Sequence, residues 1–162
     1  MPHIHEKIDF TVEVFIVYKD KVLLRKHDKY NKWLSVGGHI EPDEDPVQAA
    51  VREVKEEVGL DVILADDLLP SRMGKSGYKE LIPPKFLNRH RIDDEHEHVT
   101  MTYFATADTD IINEARDKEI SGGCRWFSKG ELRDPLYGAE NHIVFYATRA
   151  LEELGRMLSM RA

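Results

Sequence analysis

Hydrophobic and polar positions along this chain follow two different periods. From Phe10 to Tyr18 the run FTVEVFIVY is almost unbroken and rich in β-branched and aromatic residues, which predicts a buried strand. Lys19-Asp20-Lys21 reads as a tight turn, and Val22-Leu23-Leu24-Arg25 as the returning strand of a hairpin. Further strands are predicted at 33–41, where the strand runs into a glycine turn, and at 60–64, 85–92, 99–107 and 124–127. Between Gly38 and Leu60 the period changes. Val47, Ala50, Val51, Val54 and Val58 recur at helical spacing as one apolar stripe. Asp45 is a good N-cap, Pro46 suits the first helical position, Gln48 completes a capping box, and Gly59 is a left-handed C-cap. A second helix is predicted from about Ala139, with Ile143, Ala147, Ala150, Leu151, Leu154 and Leu158 facing a sheet. Ser128 and Glu131 cap a helical turn before it. Residues 1–9 read as a polar lead-in, 66–85 as a long irregular loop, and 108–123 as a polar connection. The pattern is mixed α and β.

The first helix also carries chemistry. Glu53 and Glu57 are one turn apart and Glu56 is three residues from Glu53, so the three carboxylates converge, beside and opposite the apolar stripe. Arg52 lies one turn from Glu56 and reaches back toward the loop that carries Glu44. Hard divalent cations take oxygen ligands and are held by a few carboxylates together with substrate phosphates. Most Glu-rich helix faces are simply solvated, so clustering alone decides nothing.

The spacing decides more. Gly38, Glu44, Arg52, Glu53, Val54, Glu56, Glu57, Gly59 and Leu60 stand at intervals that fill the signature of the Nudix (MutT-like) hydrolases with no gap and no substitution. This stretch resembles the Nudix box. Val36 and Asp43 stand where family members often carry Pro and Gly, but neither is a fixed box position. The resemblance implies a Nudix fold, an α/β arrangement with a mixed sheet sandwiched between helices. It implies that Glu53, Glu56, Glu57 and the Gly37 backbone carbonyl hold Mg²⁺ or Mn²⁺, and that Arg52 and Glu44 form a structural ion pair. It further implies hydrolysis of a diphosphate bond in a nucleoside diphosphate linked to another group: a nucleoside triphosphate, ADP-ribose or nucleotide sugar, or a dinucleoside polyphosphate. In Nudix enzymes an extra acid outside the box commonly completes the metal set or acts as base. The DDEHEH segment 93–98 reads first as a plain polar hairpin connection; the alternative is that Glu95, Glu97, His96 or His98 reaches the metal site, with Glu97, nearest the following strand, the candidate among them. Arg72, Lys75, Tyr78 and Lys79 in the long loop are candidates for phosphate and base contacts. A non-catalytic nucleotide-sensing module is the alternative for the whole chain, and the intact glutamates argue against it.

Composition narrows the partners. At 162 residues, one domain with a full core is expected. A net charge of −7 disfavours nonspecific attraction to nucleic acid or to an anionic membrane, so a small-molecule substrate is expected. Cys124 is the only cysteine, which excludes an internal disulfide and suits a cytoplasmic setting. No secretory leader or membrane-spanning run is expected. Similar proteins are commonly dimers, so a homodimer is a candidate assembly.

Overall fold

The computed structural model describes residues 5–27, 29–69, 75–114 and 121–160. Strand β1 (Ile8–Tyr18) turns through Lys19, at a left-handed φ of 54°, into β2 (Lys21–His27). Strands β3 (Lys32–Leu34) and β4 (Val36–His39) lead to helix α1 (Pro46–Val58). Then come β5 (Val62–Leu64), β6 (Phe86–Arg91), β7 (Glu97–Ala107) and β8 (Ser121–Phe127). A short helix α2 (Lys129–Leu132) precedes α3 (Asn141–Met160). No helix among the described residues is long and apolar enough to cross a membrane.

All the strands join one mixed sheet organised on β1. Its residues 8–17 pair in parallel with β7, from Ile8 opposite Glu97 to Val17 opposite Thr106. On its other edge, residues 11–14 pair with β4 and residues 17–18 with β2, both antiparallel. β6 and β5 pair with β7, while β3 and β8 pair with β2.

Alternation along β1 sends Val12, Val14 and Ile16 to one face and Asp9, Thr11, Glu13, Phe15 and Val17 to the other. The first set packs with Ala49, Ala50, Val54 and Val58 of α1. On the second face, Phe15 and Val17 pack with Phe104 and with Ile143, Ala147, Ala150 and Leu154 of α3. The sheet therefore lies between the two helices, as expected. The long apolar run of β1 follows from this, since a strand covered on both faces has no wet side. The other half of that second face is polar, and there the sheet opens into a cleft lined by Thr11 and Glu13.

The helix signals are realised atom by atom. The Asp45 carboxylate accepts the Gln48 amide and the Gln48 side chain accepts the Asp45 amide, each at 2.9 Å. Gly59 closes the helix at φ 71°, its amide donating to the Lys55 carbonyl at 3.1 Å. Ser128 and Glu131 form the second capping box.

The stripe on α1 needs correcting. Val51 is exposed and Ala49 is fully buried in its place. At ~100° per residue the buried arc is centred near Ala50 and Glu57, which carries Val51 out of it and draws Glu53 in. Glu53, expected beside or opposite the stripe, is 5% exposed. The lead-in also differs: β1 begins at Ile8, and Asp9 is fully buried. Leu158 lies outside the described side chains.

Candidate active site

The glycine pair of β4 brings sheet and helix into contact. A Cβ at Gly38 would stand 2.4 Å from a Glu53 carboxylate oxygen, so only glycine lets that carboxylate lie against the strand. A Cβ at Gly37 would stand 2.1 Å from the Val12 carbonyl oxygen. The Gly37 amide donates to Glu57 Oε2 at 3.2 Å, and Arg25 Nη1 donates to Glu57 Oε1 at 3.4 Å.

Arg52 ties the loop to this cluster. Its Nε and Nη2 donate to the two Glu44 oxygens at 2.9 and 2.5 Å, a bidentate pair. Nη1 donates to Glu53 at 2.7 Å and to Glu56 at 3.2 Å, and Nη2 donates to the His39 carbonyl at 3.0 Å. Glu44 also accepts the Glu41 amide at 2.9 Å. The Arg52 hydrogen bond holds the Glu44 carboxyl below its usual value, and the Glu44 hydrogen bond in turn raises Arg52. The ion pair expected from the sequence is present, and Arg52 additionally neutralises part of the charge on Glu53 and Glu56.

The donor set fits a hard divalent cation. Glu53, Glu56 and Glu57 supply only oxygen, they converge on one rim, and the glycine cradle leaves no room for a side chain in place of the Glu53 carboxylate.

This rim opens onto a cleft of about 770 Å³. Its walls include Arg25, Lys32, Arg89, Arg91 and His142, with Glu57, Gly37 and Gly38 at the edge. Glu13 lies on its floor, where it accepts from Ser35 at 2.9 Å and from Thr102 at 2.6 Å. The positive lining suits a phosphorylated ligand.

Farther along the floor is a group of which the sequence marked only His98, as one of several candidates for reaching the metal site. Asp9, His39 and His98 hold ligand atoms within 4.8 Å of one another, a grouping able to take a metal ion. It is separate from the glutamate cluster. Burial, and then the rings of His39, His90 and His96, push His98 down to about 4.

The remaining expectations fall unevenly. Glu97 opens β7 opposite Ile8 and pairs with Arg89, whereas the glycine pair stands opposite Val12 and Glu13. That separation is about 13–16 Å along β1, so the structure does not bring Glu97 to the glutamates. Residues 92–96 form the β6–β7 hairpin connection, closed by the Ile92 amide on the His96 carbonyl at 2.9 Å, while Glu97 and His98 already belong to β7. Lys75, Tyr78 and Lys79 are exposed and do not line the cleft, and the Tyr78 hydroxyl donates to Glu80 at 2.6 Å. Arg72 lies outside the described residues. The cleft cations come instead from β2, β3 and β6. Arg25 was legible only as the end of a strand, because nothing local marks a residue whose partner is Glu57. Burial, reinforced by Glu114, pushes the Cys124 thiol up to about 12, so it stays protonated near neutral pH and is a poor nucleophile.

Residues 9–148 match the NUDIX domain family model, and the chain belongs to that family. It is similar to a NUDIX-family hydrolase from Clostridium perfringens, at 37% identity over 90% of this chain and 97% of that one, with a TM-score of 0.77. It is 32% identical over 111 residues to diphosphoinositol polyphosphate phosphohydrolase 3-beta of Bos taurus. That match covers 67% of this chain and 56% of the relative, so the chain spans a little over half the length of the curated relatives it matches. An Ap4A hydrolase from C. elegans shares the fold at 18% identity and a TM-score of 0.60.

Proposed function

We propose that the protein is a Nudix pyrophosphohydrolase that cleaves a diphosphate bond in a nucleoside diphosphate linked to another moiety. The observation that carries this reading is the convergence of Glu53, Glu56 and Glu57 on the Gly37–Gly38 rim of a cation-lined cleft. Glu53, Glu56, Glu57 and the Gly37 carbonyl are the groups that would hold Mg²⁺ or Mn²⁺. Such an ion, when bound, neutralises phosphate charge and makes water a stronger nucleophile. The chain's own groups do the rest. Arg25 and Lys32 orient the phosphates from the cleft wall. A box carboxylate accepts the proton of the attacking water as its oxygen bonds to one phosphorus, and the bridging P–O bond breaks with the other phosphate as leaving group. Arg52 and Glu44 hold helix and loop together so that the carboxylates stay aimed at the rim.

The names of the curated relatives and the number of cleft cations favour a second substrate reading, a diphosphoinositol polyphosphate. Its dense phosphates would use Arg89 and Arg91 as well as Arg25 and Lys32. Both readings are tested on a panel of nucleoside triphosphates, ADP-ribose, nucleotide sugars, dinucleoside polyphosphates and diphosphoinositol polyphosphates, with Mg²⁺ or Mn²⁺ and a coupled phosphatase that frees phosphate from the products. Turnover of one class, abolished by Glu57→Gln, is the expected result. Nucleotide binding without turnover of any class would favour a sensing module.

A further inference from the structure

The histidine end of the cleft has no place in the reaction just described. Asp9 is fully buried on β1, and the sheet register surrounds it with imidazoles. His98 is its direct partner on β7, and His39 on β4 is the partner of Thr11, two residues along on the same face. His39 Nε2 stands 3.0 Å from Asp9 Oδ2, and His96 Nε2 stands 3.2 Å from the same oxygen. Asp9 Oδ1 accepts the His5 amide at 2.7 Å, which fixes the carboxylate with Oδ2 toward the histidines. The His98 ring lies 5.0 Å from that of His39 and 5.3 Å from that of His96.

We propose that Asp9, His39 and His98 form a second metal site, specific for a borderline transition cation of the zinc class and independent of the glutamate cluster. Two imidazoles and a carboxylate are a three-ligand set typical of zinc, whereas Mg²⁺ favours oxygen donors and keeps its waters. The ligand atoms of a tetrahedral zinc ion lie about 3.4 Å apart, so a grouping within 4.8 Å needs only small side-chain rotations to close. The three ligands sit on three neighbouring strands, which hold them in place without help from a loop. His39 and His98 line the cleft, so the remaining coordination position faces it and is open to water or a phosphate oxygen. His96, bridging Asp9 and the Glu6 carbonyl at 3.3 Å, positions the carboxylate rather than binding the ion. The site lies on β4 about 7 Å beyond Gly37, close to the glutamate rim but on different ligands.

The test uses Co²⁺ as a spectroscopic substitute for zinc, with the glutamate cluster saturated by excess Mg²⁺. One Co²⁺ per chain with the intense visible absorption of a tetrahedral site is the expected result. It should persist in Glu57→Gln and disappear in His98→Gln, a change at a half-buried position where circular dichroism confirms the fold. His96→Asn should weaken Co²⁺ binding about tenfold without removing the band. Only weak, octahedral Co²⁺ absorption under excess Mg²⁺ would overturn the proposal, as would a band lost in Glu57→Gln or unchanged in His98→Gln. None of these outcomes depends on turnover, so failure here leaves the hydrolase reading intact and failure there leaves this one intact.

Discussion

The two ends of the cleft hold their charges in opposite ways. At the glutamate end, three carboxylates of one helix crowd together, and the compensating charge comes from guanidinium groups, Arg52 against Glu44, Glu53 and Glu56, and Arg25 against Glu57. At the histidine end, one buried carboxylate is surrounded by rings that reach it from neighbouring strands and from the β6–β7 connection. The first arrangement is acidic, partly wet and built for a hard cation and a phosphate. The second is more buried and nitrogen-rich, and a softer cation suits it. Carboxylates gathered on one helix need only a glycine to meet the sheet, whereas a site spread over three strands exists only if the register is right.

The largest expected effect that would break this contrast is at Glu57. Glu57→Gln should lower kcat on the order of a hundredfold or more, read by phosphate release, with the fold kept by circular dichroism. Near-wild-type turnover would remove the glutamate end from catalysis. Gly38→Ala comes next. Its methyl would press on the flexible end of Glu53, so activity should fall roughly ten- to a hundredfold while thermal stability changes little. Gly37→Ala should behave in the opposite sense, because its methyl meets Val12 backbone. A loss of about 1–3 kcal/mol in chemical denaturation is expected there.

Glu44→Gln sharpens the comparison through Arg52. With a neutral partner the guanidinium is left partly buried and undercompensated, and a loss of about 2–3 kcal/mol is expected by urea denaturation. The same pair predicts an acid limb. Glu44 titrates below 4.5 in the folded protein, so its contribution is complete above that pH and is lost as pH falls through the folded value. Thermal melts of the wild type should therefore drop below about pH 4.5, and Glu44→Gln should flatten that slope. The smallest effect is expected at Lys32, which pairs with Glu140 at the exposed cleft mouth. Lys32→Ala should raise KM a few-fold with kcat unchanged, the mark of binding shared by ground and transition states.

Much of the glutamate end could be read in the sequence because helical geometry is local. Asp45, Gln48 and Gly59 bound the helix, and three- and four-residue spacing brings Glu53, Glu56 and Glu57 together whatever else the chain does. The pairing of Arg52 with Glu44, a loop residue eight positions back, was expected from the family resemblance. The burial of Glu53 was not, since it depends on where the sheet sits around the helix, and Val51 was misplaced by the same rotation. The long loop offered cations and an aromatic ring, yet Lys75, Tyr78 and Lys79 lie away from the cleft, and β6 supplies Arg89 and Arg91 instead.

The sequence by itself determined the strand and helix types and the caps, because each rests on interactions between residues a few positions apart, and the spacing of the box carried the family resemblance. Only the tertiary structure decided that Arg25 meets Glu57, that Glu97 stands apart from the box, and that Asp9, His39 and His98 share one floor. Those facts depend on strand register, in which a slip of one residue sends every side chain to the other face, and no local pattern records it.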